Sequence, residues 1–129
     1  MWGNDAFSDN PALTEVYVPS TVKHFGYNSF RADTKISAVH GTDVSSWCKI
    51  TFSNDLANPM FYSHKLFLGN KLVTHVDIPD EFTAVNPYAF NYGVDISSVH
   101  FPEGLKSIGD CAFLCCQLKG EVYIPDGVT

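Results

Sequence analysis

His75, Asp77 and His100 are the residues of this 129-residue chain whose types and spacing could do chemistry. An imidazole beside a carboxylate can move a proton, and imidazoles with a carboxylate can ligate a metal. Asp77 and His100 stand 23 residues apart. The apolar residues around them recur at the same interval, as Val76-Asp77-Ile78-Pro79, Val99-His100-Phe101-Pro102 and Val122-Tyr123-Ile124-Pro125. If each copy is a strand stacked in parallel on the next, neighbours lie roughly 4.8 Å apart. Asp77 then sits beside His100, with His75 near. Such groups on a flat, open sheet make a poor closed site, because ligands must converge from several directions. The sequence therefore predicts no catalytic residue, no metal and no cofactor.

The same register predicts a solvent-facing column of Tyr17, His40, Asp77, His100 and Tyr123. Glu15, Ala38, His75, Ser98 and Glu121 form the column beside it. Tyrosine and histidine offer contact area with few rotors, which suits a recognition face. Tyr17, His40, His75, Asp77, His100 and Tyr123 are the candidate binding residues. The competing reading is ordinary solvated sheet surface. His24 and His64 fit no constellation. No G-x-S-x-G, H-E-x-x-H or phosphate loop occurs, which removes the usual nucleophile, zinc-protease and nucleotide signatures.

The elements that must position these columns are themselves periodic. Phe7 and Phe30 are 23 apart, as are Phe90 and Phe113, and these four rings are expected to fill the core between successive turns. Val16, Val39, Val76, Val99 and Val122 form a second column, preceded by Leu13, Ile36, Val73 and Ile96. Alternation of these with polar residues reads as a short strand with one buried face. The proline that follows cannot donate to a ladder and ends it. The small residue before each phenylalanine, as in Ala89-Phe90 and Ala112-Phe113, belongs to a single helical or 3-10 turn. Gly3, Gly26 and Gly109 precede these turns, where the chain is expected to need positive φ. Trp2, Phe25, Val85 and Ile108 mark a second, shorter extended segment. A unit of this size cannot bury its own apolar side, and stacked copies can. Both ends fall within a unit, so the sequence predicts fraying or end-to-end self-association.

The pattern breaks over about 41–72. Phe30 to Phe90 spans 60 residues, two repeats of 23 plus 14. Ser45–Ile50 reads as a short helix in place of a small-Phe turn. Lys65 to Val73 reads as a β-hairpin inserted into the repeat, because Gly69-Asn70 between apolar runs is a strong turn signal. In the last unit Leu118 is displaced by one residue, but the overall interval survives, so the strand around Val122 is expected to stay in register.

The bulk numbers agree with a folded chain. Hydrophobic residues make up 45% and charged residues 17%, with a net charge of −6. That balance argues against nucleic acid or an anionic membrane as partner. Cys48, Cys111, Cys115 and Cys116 show no paired C-x-x-C knuckles and read as small buried thiols, with a disulfide or a reactive thiol as the alternative.

The run from Ile96 through Val99, Phe101-Pro102, Leu105, Ile108-Gly109, Ala112-Phe113 and Cys116 resembles the BspA-like leucine-rich repeats, also called the Treponema pallidum-type repeat. Asn10, Asp33 and Gly93 depart from it at the cysteine column, and Pro87 stands inside one turn. The resemblance extends over nearly all of residues 1–129 and implies a β-rich α/β fold: one right-handed leucine-rich-repeat solenoid domain with parallel strands on one face, short helical or 3-10 turns and a hairpin insertion. It implies a non-enzymatic adhesion module of a cell-surface or secreted bacterial protein, binding a host or microbial protein or glycan. A metal-binding or hydrolytic accessory domain and a structural spacer are the alternatives.

Overall fold

The computed structural model describes residues 2–129. Among them are ten short strands: β1 (Glu15–Tyr17), β2 (His24–Phe25), β3 (Ala38–Gly41), β4 (Thr51–Phe52), β5 (Leu66–Leu68), β6 (Lys71–Leu72), β7 (His75–Asp77), β8 (Ala84–Val85), β9 (Ser98–His100) and β10 (Ser107–Ile108). Two short helices, α1 (Val44–Cys48) and α2 (Met60–Ser63), and a 3-10 turn, Asp55–Ala57, lie in the middle. The strands pair in the order β1-β3-β5-β6, with β7-β9, β2-β4 and β8-β10 as separate two-stranded ladders.

Pairing is parallel between equivalent residues of successive units. Val16 faces Val39 in β1 and β3, Val76 faces Val99 in β7 and β9, and Ile108 faces Val85 in β10 and β8. The partners in each pair are 23 residues apart. Val39, Val76, Phe25, Phe30 and Phe90 are fully buried, and each such side chain contributes roughly 1.5–3 kcal/mol relative to exposure. Phe7 stacks on Phe30 with ring centroids 5.6 Å apart and planes 13° apart. Phe90 stacks on Phe113 at 5.5 Å and 10°.

The middle departs from that interval in two steps. Val39 faces Leu66 in β5 and Phe25 faces Phe52 in β4, so both columns step by 27. The four added residues fall between β3 and β4, where α1 lies. Asp43 caps α1, its carboxylate accepting from the Ser46 N–H. The helix follows a strand, so it replaces the turn after the strand and not the small-Phe turn. That second place is held by the 3-10 turn, where Ala57 is fully buried. Leu66 and Val76 are ten residues apart. Between them β5 and β6 pair antiparallel across Gly69-Asn70, at φ 58° and 66°. The first arm is thus a repeat strand in its own right, paired on its other side to β3.

The glycines before the turns have a different cause from the one expected. Among the described residues, glycines with positive φ are Gly69 and Gly120 alone. Gly26 is needed because a Cβ there would lie 2.5 Å from the Gly3 carbonyl carbon, and one on Gly109 would strike the Pro87 backbone. Left-handed backbone is carried instead by Asp5 and Asp9, Asn28 and Ala32, Tyr88 and Tyr92, and Cys111 and Cys115. These are the residues two before and two after each turn phenylalanine. In the first unit Asp5, Phe7 and Asp9 all donate their N–H to carbonyls of the next unit, those of Tyr27, Ser29 and Arg31. Tyr88, Phe90 and Tyr92 do the same to Asp110, Ala112 and Leu114. Alternating handedness aims every second N–H along the stacking direction.

Three further sequence expectations are corrected. Val122 is 39% exposed, and residues 121–124 form no strand. Lys119 N–H bonds to Ser97 O where the repeat would place residue 120, so the chain is still one residue out of step at Lys119. Gly120, at φ 73°, carries the surplus residue. Phe7 is 40% exposed: Phe30 stacks on one face and Trp2 meets the ring edge-on. The thiols divide: Cys48 is buried and Cys116 partly so, whereas Cys111 and Cys115 are exposed on their left-handed turn. Burial pushes the Cys48 thiol up to about 12 and the Cys116 thiol to about 11, so neither is a thiolate near neutral pH.

Candidate binding face

Parallel register sets the outward side chains in rows. Tyr17 on β1 is opposite His40 on β3, and His40 is opposite Phe67 on β5. Their rings stack in series: Tyr17 on His40 at 4.3 Å and 7°, His40 on Phe67 at 5.1 Å and 21°. Glu15, two residues before Tyr17 on the same face, reaches both. Its Oε2 accepts from the Tyr17 hydroxyl at 3.4 Å, and its Oε1 lies 3.5 Å from His40 Nε2.

The second group is on β7 and β9. His75 Nδ1 lies 2.7 Å from Ser98 Oγ, and His100 Nδ1 lies 3.0 Å from Asp77 Oδ1. The Asp77 and His100 side chains are both well exposed, so solvent screens that pair and little stability comes from it. His75, Asp77 and His100 are on one sheet face but are open to solvent. Among the described residues no three His, Cys, Asp or Glu side chains lie together so as to hold a metal ion.

The six candidate residues therefore fall into two patches and an outlier. Tyr17 and His40 are joined by Phe67. His75, Asp77 and His100 are on a separate ladder, with the β5–β6 hairpin between the two in the chain. Tyr123 joins neither: it is exposed on a segment that pairs with no strand. Sequence reasoning misses Phe67 because Leu66–Leu68 reads as an inserted hairpin arm. Its signal is the alternation Leu66-Phe67-Leu68, which repeats that of Val16-Tyr17-Val18. His24 contacts Thr51 and Ser53 on the β2–β4 ladder, and His64 ends α2 in the left-handed region.

Comparison with known proteins agrees with this geometry. The family described as the BspA type leucine-rich repeat region (6 copies) matches residues 1–59 and 42–129. A crystal structure of a leucine-rich cell-surface protein from Faecalibacterium prausnitzii A2-165 is similar, with a TM-score of 0.53 and 22% sequence identity. The similarity covers 98% of this chain and 37% of that one, a likeness of fold. Among curated proteins none matches the chain.

Proposed function

The chain belongs to the BspA-type leucine-rich repeat family, and on that footing we propose that it is a non-catalytic binding module of a cell-surface or secreted protein, built as a right-handed solenoid whose strand face meets a protein or glycan of a host or microbial surface. The observation that supports this most is the stacked row of Tyr17, His40 and Phe67. Three rings held face to face by strand register are pre-organised, so little entropy is lost on contact. Tyr17 is 66% exposed, so the outer face of the row is free to meet a partner. His75, Asp77 and His100 extend the face with donors and acceptors. Members of such repeat families generally act by binding, and an open imidazole–carboxylate pair lacks the enclosure that acid–base catalysis needs. The surface reading rests on the family and on the cell-surface neighbour.

The test uses Tyr17→Ala, His100→Ala and Tyr123→Ala together. All three side chains are well exposed, so the melting temperature should not move. Binding to a panel of extracellular-matrix glycoproteins and to a glycan array should fall at least about five-fold for whichever probe the parent chain binds. Undiminished binding by the triple variant would overturn the strand face as the site.

A further inference from the structure

We propose that the cleft where β1, β3 and the β5–β6 turn meet takes one uncharged pyranose ring, such as the end of a neutral glycan. The inference rests on the binding-module reading and narrows it. The cleft is about 260 Å³ and is lined by Tyr17, Val18, Pro19, His40, Gly41, Thr42 and Asn70. Drug-sized ligands need upwards of about 300 Å³, so the space suits a single ring.

Its chemistry is of two kinds. Val18, Pro19 and the stacked Tyr17 and His40 rings give an apolar wall for the C–H face of a sugar. Thr42 and Asn70 give a hydroxyl and an amide, both donor and acceptor. His40 Nε2 is buried towards Glu15, whose carboxylate is 3.5 Å away and does not line the cleft, so Thr42 and Asn70 are the side chains that offer it hydrogen bonds. Among the described residues no lysine, arginine, aspartate or glutamate lines the cleft. A charged ligand would find no counter-charge in it, whereas a polyol finds partners for its hydroxyls.

The walls are also fixed. Val18 N–H donates to His40 O at 2.7 Å, tying the ends of the two strands. Gly69 N–H reaches Gly41 O at 3.4 Å, holding the turn over β3. Asn70 at φ 66° is locked in that turn. A shallow, rigid cleft for one ring implies millimolar affinity, which a surface protein raises by multivalency.

The experiment titrates the 15N-labelled chain with the methyl glycosides of glucose, galactose, mannose and N-acetylglucosamine, each to about 50 mM, and with methyl glucuronide. Saturable shifts at the Gly41, Thr42 and Asn70 amides, with at least one neutral glycoside, are expected. Asn70→Gly keeps the positive φ and removes the amide. Thr42→Val keeps the shape and removes the hydroxyl. Each should weaken binding about five-fold, with the rest of the spectrum unchanged. The proposal is overturned if none of the four neutral sugars shifts these amides. It is also overturned if the glucuronide binds better than all of them, if shifts centre on His75, Asp77 and His100, or if both variants bind as the parent does. Glycoprotein binding that persists through any of these outcomes leaves the strand face intact and removes only the cleft.

Discussion

Trp47 donates its indole N–H to the carbonyl of Ala89 at 2.8 Å, across the junction between the irregular middle and the regular unit that follows. The indole is almost completely buried, and it packs beside Phe52 with ring centroids 5.8 Å apart. Asn58 Nδ2 reaches the same carbonyl at 3.4 Å and the Tyr88 carbonyl at 2.8 Å. Asn86 returns the contact, donating to Cys48 O and Ile50 O. Side chains thus replace the backbone ladder where α1 and the hairpin interrupt it.

Trp47 should therefore be among the costliest positions to truncate. Trp47→Phe loses the indole donor but leaves Ala89 O a second partner, and should cost about 1–2 kcal/mol. Trp47→Ala opens a cavity as well and should cost about 3–5 kcal/mol. Urea denaturation followed by tyrosine fluorescence reads both. Equal losses would mean that the ring volume contributes nothing beyond the hydrogen bond.

Gly26 tests the close approach of successive units. A Cβ there meets the Gly3 backbone, which cannot rotate away. Gly26→Ala should cost about 1–3 kcal/mol through overpacking. Gly104→Ala, where a Cβ meets nothing within 4 Å, should stay within about 0.5 kcal/mol. If the two variants melt together, the contact between turns is looser than the geometry requires.

The contrast between legible and illegible parts of this fold has a physical source. Phe30 and Phe90 are readable because a buried ring must recur wherever the backbone recurs, and Phe7 and Phe113 stack on them. Phe67 is hidden because α1 adds four residues and moves the strand register, and a hairpin signal at Gly69-Asn70 claims the same residues. Sequence reasoning assigns positive φ to glycine, but Asp5, Ala32, Tyr88 and Cys115 carry it. At Asp5 and Tyr88 the requirement comes from backbone hydrogen bonds to the next unit, which leave no trace in side-chain type. For the binding face, the pairs Tyr17–His40 and Asp77–His100 follow from the interval alone. Their separation into two patches does not, because it depends on where β6 pairs.

Asp33 should make stability depend on pH in the direction opposite to a paired carboxylate. Its side chain is fully buried. Burial raises its pKa above the ordinary 3.8, more than the Asn10 N–H bond to Oδ1 lowers it. The folded state then holds the proton more tightly than the unfolded state, so stability is full below pH 3.8 and falls as pH rises through the folded pKa. Asp33→Asn removes that loss while keeping an acceptor for Asn10. The variant should melt higher than the parent at about pH 7, and the gap should close below about pH 3.8. A gap that does not change between about pH 3 and pH 7 would show that ionisation of Asp33 is not its cause.

Val122 and Val76 stand at equivalent places in the repeat and have opposite surroundings. Val76 is fully buried and its residue pairs with Val99. Val122 is 39% exposed and belongs to no strand, and Gly120, at φ 73°, turns the chain just before it. Burial and not sequence position decides what a methyl group contributes, so the same substitution should separate the two. Val76→Ala removes two buried methyl-sized groups and should cost about 1.5–3 kcal/mol once the cavity is counted. Val122→Ala should cost less than about 0.5 kcal/mol. Denaturant midpoints measured side by side decide the matter. A loss at Val122 as large as that at Val76 would mean that Glu121–Ile124 docks as a further strand in solution, and that the last copy of the motif behaves as the earlier ones do.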